Sequence, residues 1–207
     1  MRRITSLGVA SLALAVSLGA DGQSPATQPV PKGAMPTLGR PTDPTDAVPT
    51  LDFESYFVGK WTFEWSLPDS PLSPAGTVTG TTIVTKVDGA FYEAVTEGDG
   101  PTGPFKVKEV LAYHRDAKTL ARQVNDSRGF VYLQSGDVGG DLGGIFNIRL
   151  ESAPFVAQGK TVRLRTVLRL LSPLNYRVAV SLSVEGGPFT NLGNPWWRKD
   201  LSYTGKP

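Results

Sequence analysis

Residues 174–184 read Leu-Asn-Tyr-Arg-Val-Ala-Val-Ser-Leu-Ser-Val, and their alternation decides the fold. Leu174, Tyr176, Val178, Val180, Leu182 and Val184 fall on one side of an extended chain; Asn175, Arg177, Ala179, Ser181 and Ser183 fall on the other. A period of two, apolar against polar, is the mark of a strand with one dry and one wet face. The segment before it repeats the pattern, with Val162, Leu164 and Leu168 opposed to Arg163, Arg165 and Arg169.

Working outward, strand patterns recur about every 8–12 residues between Gly, Pro, Asp and Asn punctuation. They predict strands at Trp61–Leu67, Thr77–Val87, Phe91–Glu97, Phe105–Tyr113, Thr119–Asn125, Phe130–Ser135, Ile145–Glu151, Thr161–Leu171, Leu174–Val184 and Trp196–Thr204. Ahead of them Leu51–Val58 places apolar side chains at 51, 53, 57 and 58, which suits one short helical turn. The expected fold is all-β: an antiparallel up-and-down barrel of about ten strands with a short N-terminal helical turn. Closure removes the edges that ten free strands would expose. A two-sheet sandwich is the alternative.

Two segments precede this domain, which is assigned residues 51–207. Residues 1–20 carry Arg2 and Arg3, then an uncharged run from Ile4 to Ala20 ending in small residues. This is the layout of a secretory signal peptide, with cleavage expected after Ala20 and a secreted or periplasmic destination. A retained membrane anchor is the alternative, but Ser, Thr and Gly dilute the run and no cationic stop follows. Residues 21–50 hold Pro25, Pro29, Pro31, Pro36, Pro41, Pro44 and Pro49. Proline fixes φ and removes amide donors, so the segment reads as a Pro-rich disordered linker.

Composition narrows the function. The 207 residues contain no Cys and one His, which excludes thiol chemistry, disulfides, iron–sulfur clusters and multi-His metal cages. Lys and Arg total 21 against 19 acidic residues; without Arg2 and Arg3 the balance is zero. That argues against nucleic acid as partner and against a polybasic membrane clamp. Gly98–Gly103 matches G-x-G-x-x-G, but a strand pattern follows where a dinucleotide site needs a helix, so it reads as a hairpin loop. Gly136–Gly144, with five Gly and two Asp, is a single copy of a calcium-roll-like run and reads as a loop. His114 sits between Tyr113 and Arg115 in a turn. No metal or cofactor is expected.

The informative signal is polar residues on apolar strand faces. Glu109 lies between Val107 and Leu111, and Arg122 between Leu120 and Val124. A His114–Ala117 loop would set Glu109 opposite Arg122, with Tyr132 as the next neighbour across the Asn125–Arg128 turn. Glu93, between Phe91 and Val95, and Asn147, between Ile145 and Arg149, are further inward candidates. Unpaired charge inside a barrel is costly, so these groups must pair or meet a polar ligand head. Trp61, Phe63 and Trp65 alternate onto one face and either line a pocket or pack as core. Trp65, Glu93, Glu109, Arg122, Tyr132, Asn147 and Tyr176 are the expected ligand-binding set.

Gly59-Lys60-Trp61 gives G-x-W just after the helical turn; Gly76–Gly80 gives G-x-x-x-G; Tyr113–Lys118 and Asn125–Gly129 give a Tyr-led and a Gly-ended turn. Together they resemble a bacterial lipocalin-like family of unknown function, a calycin-type barrel, over about residues 51–205. The Glu185–Phe189 hairpin departs from that family's Asp-Gly turn. The resemblance implies that Trp61 plugs one barrel end and that an Arg of the last strand, Arg198, covers it.

Three functions fit. The first is an exported barrel that binds a small hydrophobic or amphipathic molecule as carrier, sensor or scavenger. The second is an envelope interaction protein with a solid core. The third is an isomerase or lyase acting in the cavity, with Glu109 or Glu93 as base and Tyr132 as acid.

Overall fold

The computed structural model describes residues 47–205. The predicted leader and the Pro-rich linker as far as residue 46 lie outside them. One helical turn, α1 (Phe53–Phe57), is capped by Asp52, whose Oδ1 accepts from the Ser55 amide at 3.2 Å. Twelve strands follow: β1 (Gly59–Leu67), β2 (Gly76–Asp88), β3 (Phe91–Gly100), β4 (Gly103–His114), β5 (Thr119–Asp126), β6 (Phe130–Gly140), β7 (Phe146–Ser152), β8 (Phe155–Ala157), β9 (Lys160–Ser172), β10 (Asn175–Val184), β11 (Thr190–Gly193) and β12 (Trp196–Lys199).

Ten of them close a ring. From β1 to β7 each strand pairs with the next, β7 pairs with β9, β9 with β10, β10 with β12, and β12 with β1. All of these pairings are antiparallel. β11 and β12 run along the same edge of β10, one at Val180–Leu182 and the other at Asn175–Arg177. They form one stave interrupted at Asn194-Pro195, where Pro195 cannot donate to the ladder. β8 is a short flap on the start of β9. The expected barrel of about ten strands is the observed fold.

Several details differ from the sequence reading. The last strand stops at Lys199 instead of running to Thr204, because the Asp200 carboxylate caps a turn by accepting from the Ser202 amide at 3.0 Å. The glycine run is not a loop throughout: β6 continues through Gly136 to Gly140. A Cβ on Gly136 would lie 1.7 Å from the Arg149 carbonyl oxygen, so only glycine lets β6 and β7 approach this closely. The loop is confined to the residues around Asp141–Gly144, where the Asp141 carboxylate accepts from the Ile145 amide.

Strand direction gives the barrel a closed and an open end. α1, the β2–β3 turn, the β4–β5 turn and the β9–β10 turn gather at one end. The β1–β2 loop and the β3–β4, β5–β6 and β10–β11 turns gather at the other. Inward residues form a main core that includes the closed end, and Phe63, Leu67, Val78 and Phe105 form a second, smaller cluster.

Candidate functional site

The closed end is packed solid. Trp61 is fully buried, and its indole N–H donates to the Phe57 carbonyl at 2.8 Å. Tyr176 meets its ring edge-on at 4.8 Å between centroids, and Phe53 stacks on Phe57 at 4.5 Å and on Tyr113 at 5.2 Å. The cation over Trp61 is not Arg198. β1 pairs Trp61 with Lys199, so inward parity on β12 falls on Trp197 and Lys199, and Arg198 faces solvent. The Lys199 ammonium stands 5.2 Å from the indole centroid and donates to the Ser55 carbonyl at 3.1 Å. Trp61 therefore has the plug position and Lys199 the covering one.

Beyond this plug the interior is hollow. A cavity of about 210 Å³ is lined by apolar side chains from around the ring, among them Phe63, Trp65, Phe105, Leu168, Val178 and Trp197. Within that wall sits a polar cluster. Arg122 Nη1 donates to Glu109 Oε2 at 3.0 Å. Its Nε and Nη2 donate to Gln134 Oε1 at 2.8 and 2.6 Å. Gln134 Nε2 in turn donates to Thr166 Oγ1 at 3.2 Å. The ion-paired side chains keep 17% and 16% of their surface accessible, and both line the cavity, so the pair is wetted from inside the barrel.

The pairing differs in register from the sequence expectation. The β4–β5 turn is Arg115–Lys118, with Lys118 at φ 49°, so Tyr113 opposes Leu120, Leu111 opposes Arg122 and Glu109 opposes Val124. Arg122 reaches Glu109 diagonally. Across β5–β6, Tyr132 opposes Val124, and Gln134 opposes Arg122. Gln134 and Thr166, both buried, are absent from the sequence-derived set; their signal is a polar residue in phase with Tyr132 and Val138 and with Leu164 and Leu168.

Glu93 and Asn147 belong to the outer face. On β3 the inward residues are Tyr92, Ala94 and Thr96, while Glu93 is exposed. On β7 they are Phe146, Ile148 and Leu150, with Asn147 half-buried between them on the other side. Trp65, Glu109, Arg122, Tyr132 and Tyr176 all line the cavity. Trp65 is fixed by its indole N–H, which donates to the Leu192 carbonyl at 2.8 Å.

The two phenols complete the cluster. Neither makes a hydrogen bond among the described residues, yet no buried side-chain polar atom there lacks a partner, so each hydroxyl opens onto the cavity. Burial pushes the Tyr132 phenol up to about 12, even though the Arg122 guanidinium pulls the other way. Burial, with the Glu109 carboxylate, pushes Tyr176 up further. Both are neutral donors at neutral pH. Burial works against the Arg122 charge, the Glu109 carboxylate beside it favours it, and the guanidinium is held firmly protonated. The site thus offers spare guanidinium N–H groups, one free carboxylate oxygen and two hydroxyls at the bottom of an apolar cup.

The rim is also polar. Arg128 grips Asp126 through Nε at 2.9 Å and Nη2 at 2.5 Å, and its guanidinium lies 4.4 Å from the Phe105 ring centroid. The G-x-G-x-x-G run forms the β3–β4 turn beside it and opens no helix. His114 Nδ1 accepts from the Ala117 amide at 3.0 Å in the β4–β5 turn at the closed end, away from the cavity. No group of three metal-ligating side chains occurs among the described residues.

A family model described as "Protein of unknown function (DUF1579)" matches residues 55–192. The chain belongs to this family. No curated protein matches it. Among solved structures, the crystal structure of Rv2717c from M. tuberculosis is similar at a TM-score of 0.60 and 13% identity, covering 75% of this chain and 99% of that one. A de novo designed fluorescence-activating β-barrel gives a TM-score of 0.42 at 15% identity, over 72% of this chain and 99% of its own. EF1p2_mFAP2b bound to DFHBI gives 0.39 at 12%, over 70% and 94%. The first of these supports the barrel fold.

Proposed function

We propose that this barrel, after export, binds one small amphipathic molecule. Its polar end would meet Arg122, Glu109 and the two phenols, and its apolar body would lie in the cup. The observation that carries this is the Arg122–Glu109 pair, kept accessible only through an apolar cavity of about 210 Å³. A solid structural core has no use for such a space. An apolar cavity of about 150 Å³ accommodates benzene, so this one suits a single ring or short chain bearing a polar group. The volume lies below the roughly 300 Å³ of ordinary drug-sized pockets, which excludes large ligands from full enclosure.

Glu109 already neutralises Arg122, so the preferred head is one that both accepts and donates, such as a hydroxyl, amide or protonated acid. The role is that of carrier, sensor or scavenger, and the destination is the secreted or periplasmic space. Two measurements test the reading. Fluorescent titration with a small environment-sensitive aromatic probe should show saturable binding to the wild type and a loss of tenfold or more in Ala94→Phe, which fills the cup. Equal binding by the two proteins would place the probe elsewhere and overturn the proposal. Fractionation of the host should recover the chain outside the cytoplasm with residues 1–20 removed; recovery of an uncleaved cytoplasmic chain would overturn the exported role.

A further inference from the structure

We infer that one corner of the closed end, where β9, β10 and β12 finish, docks on an anionic lipid bilayer. The chain's overall charge balance predicts no such contact; the charge is local. Arg169 on β9 and Arg177 on β10 are directly opposed partners, and both are exposed. Like charges so placed destabilise a sheet; Arg177 leans away toward the Asn194 carbonyl, 3.4 Å from its Nε, and the Trp196 ring, 5.8 Å from its guanidinium, neither of which neutralises its charge. Arg198 on β12 stands opposite Asn175, two residues along from Arg177, and is exposed as well. None of the three joins a carboxylate among the described residues, whereas Arg163 and Arg165, further along the same face of β9, share Glu151. Asp200 pairs with Lys60 at 3.2 Å, Glu64 on β1 stands opposite Trp196 and diagonal to Arg198, and the other acids of this end, Asp52, Glu54, Asp88 and Asp116, lie on α1 and on the β2–β3 and β4–β5 turns.

These guanidiniums border an apolar tip. Leu171, Leu174 and Leu201 are 40%, 51% and 74% exposed. Leu171 follows Arg169 on the same face. The Lys199 amide donates to the Leu174 carbonyl at 2.9 Å, which holds the β9–β10 hairpin against the end of β12, two residues before Leu201. Tyr203 is exposed just after it. Protruding leucines flanked on one side by arginines match the layering of a bilayer surface, with the acyl boundary beneath and phosphates beside it. A soluble polyanion would satisfy the arginines and leave the leucines in water. A second exposed apolar strip, Phe91, Val110, Val131 and Leu133, borders Glu93 and Lys108. Because the cavity opens at the opposite end, a docked barrel keeps its mouth free.

The test is co-sedimentation of the protein isolated from its host with vesicles of phosphatidylcholine alone or mixed with phosphatidylglycerol, with soluble polyphosphate as competitor. The expected result is binding to the mixed vesicles, at least tenfold weaker binding to phosphatidylcholine, and weakening with salt. Arg169→Gln and Arg177→Gln should each lower partitioning about fivefold. The pair Leu174→Ser with Leu201→Ser should lower it roughly tenfold or more. Far-UV circular dichroism of each variant should match the wild type. No binding, equal binding to both vesicles, or binding that polyphosphate abolishes while the leucine variants leave it intact would each overturn the proposal; the last would mark a polyanion surface.

Discussion

Around Trp61 the barrel interior is solid; around Arg122, only a few residues further along the staves, it is open. The closed half fills its cross-section with Phe53, Phe57, Trp61, Tyr92, Tyr113 and Tyr176, and α1 supplies two of those rings. The open half has no helix to contribute. There smaller or polar residues, Thr82, Ala94, Thr96, Glu109 and Arg122, stand among the aromatic walls of Phe63, Trp65, Phe105 and Trp197 and leave the space open. Thr82 and Thr96 satisfy each other at 2.8 Å, and Arg122 organises the rest. A ten-strand ring is wide enough that side chains fill it only where extra aromatic volume is added. One half is therefore densely packed, and the other keeps an open space beside a smaller buried cluster.

That contrast can be broken experimentally. The largest effect is expected at the plug: Trp61→Ala should cost about 3–5 kcal/mol in urea unfolding, whereas Trp65→Ala, facing the cavity, should cost less than half as much. Equal losses would mean that the two halves are equally packed. Next comes the ion pair. Glu109→Leu alone should cost about 3 kcal/mol because it strands the Arg122 charge, while Glu109→Leu combined with Arg122→Met should fall within about 1 kcal/mol of wild type. A double variant as weak as the single one would contradict an interior pair.

Alkali tests the same cluster. Burial raises Tyr132 to about 12 and Tyr176 further, so the folded state holds protons that the unfolded chain releases near pH 10. Stability should be flat below pH 10 and fall as pH climbs from there toward 12, with a late phenolate absorbance step that coincides with unfolding. A single phenol titration near pH 10 in a folded protein would refute this burial. The smallest effect lies at α1. Hydrogen bonds from Ser55 lower the Asp52 carboxyl, so its contribution is present at neutral pH and is lost as pH falls through its depressed value. Asp52→Ala should cost about 1 kcal/mol at neutral pH and less in acid.

Legibility in the sequence follows the same divide. β9 and β10 are readable because Val162, Leu164, Leu168 and the 176–182 series alternate without interruption. Trp61 is readable for a similar reason. Its cover is not, because the choice between Arg198 and Lys199 rests on a single step of parity in a four-residue strand. β3 misleads: Phe91 and Val95 suggest an inward row that would carry Glu93 with it. The true inward row is Tyr92, Ala94 and Thr96, and Phe91 is 53% exposed. A one-residue phase change exchanges the two faces completely, and a strand that borders a cavity gives little apolar signal to fix that phase. Arg122 and Glu109 are visible as polar residues among apolar ones, but their contact is diagonal because the turn begins one residue later than the sequence suggests. Gln134 becomes meaningful only once Arg122 stands beside it.

We propose that the cup around Arg122 holds a small molecule. Native mass spectrometry of the protein isolated from its own host tests it most directly, with the wild type and Arg122→Ala run side by side after matching their thermal unfolding. With the cup occupied, a small-molecule adduct of defined mass is expected on the wild type and is absent from the variant. An adduct-free wild type, or an adduct that persists unchanged in the variant, would contradict it.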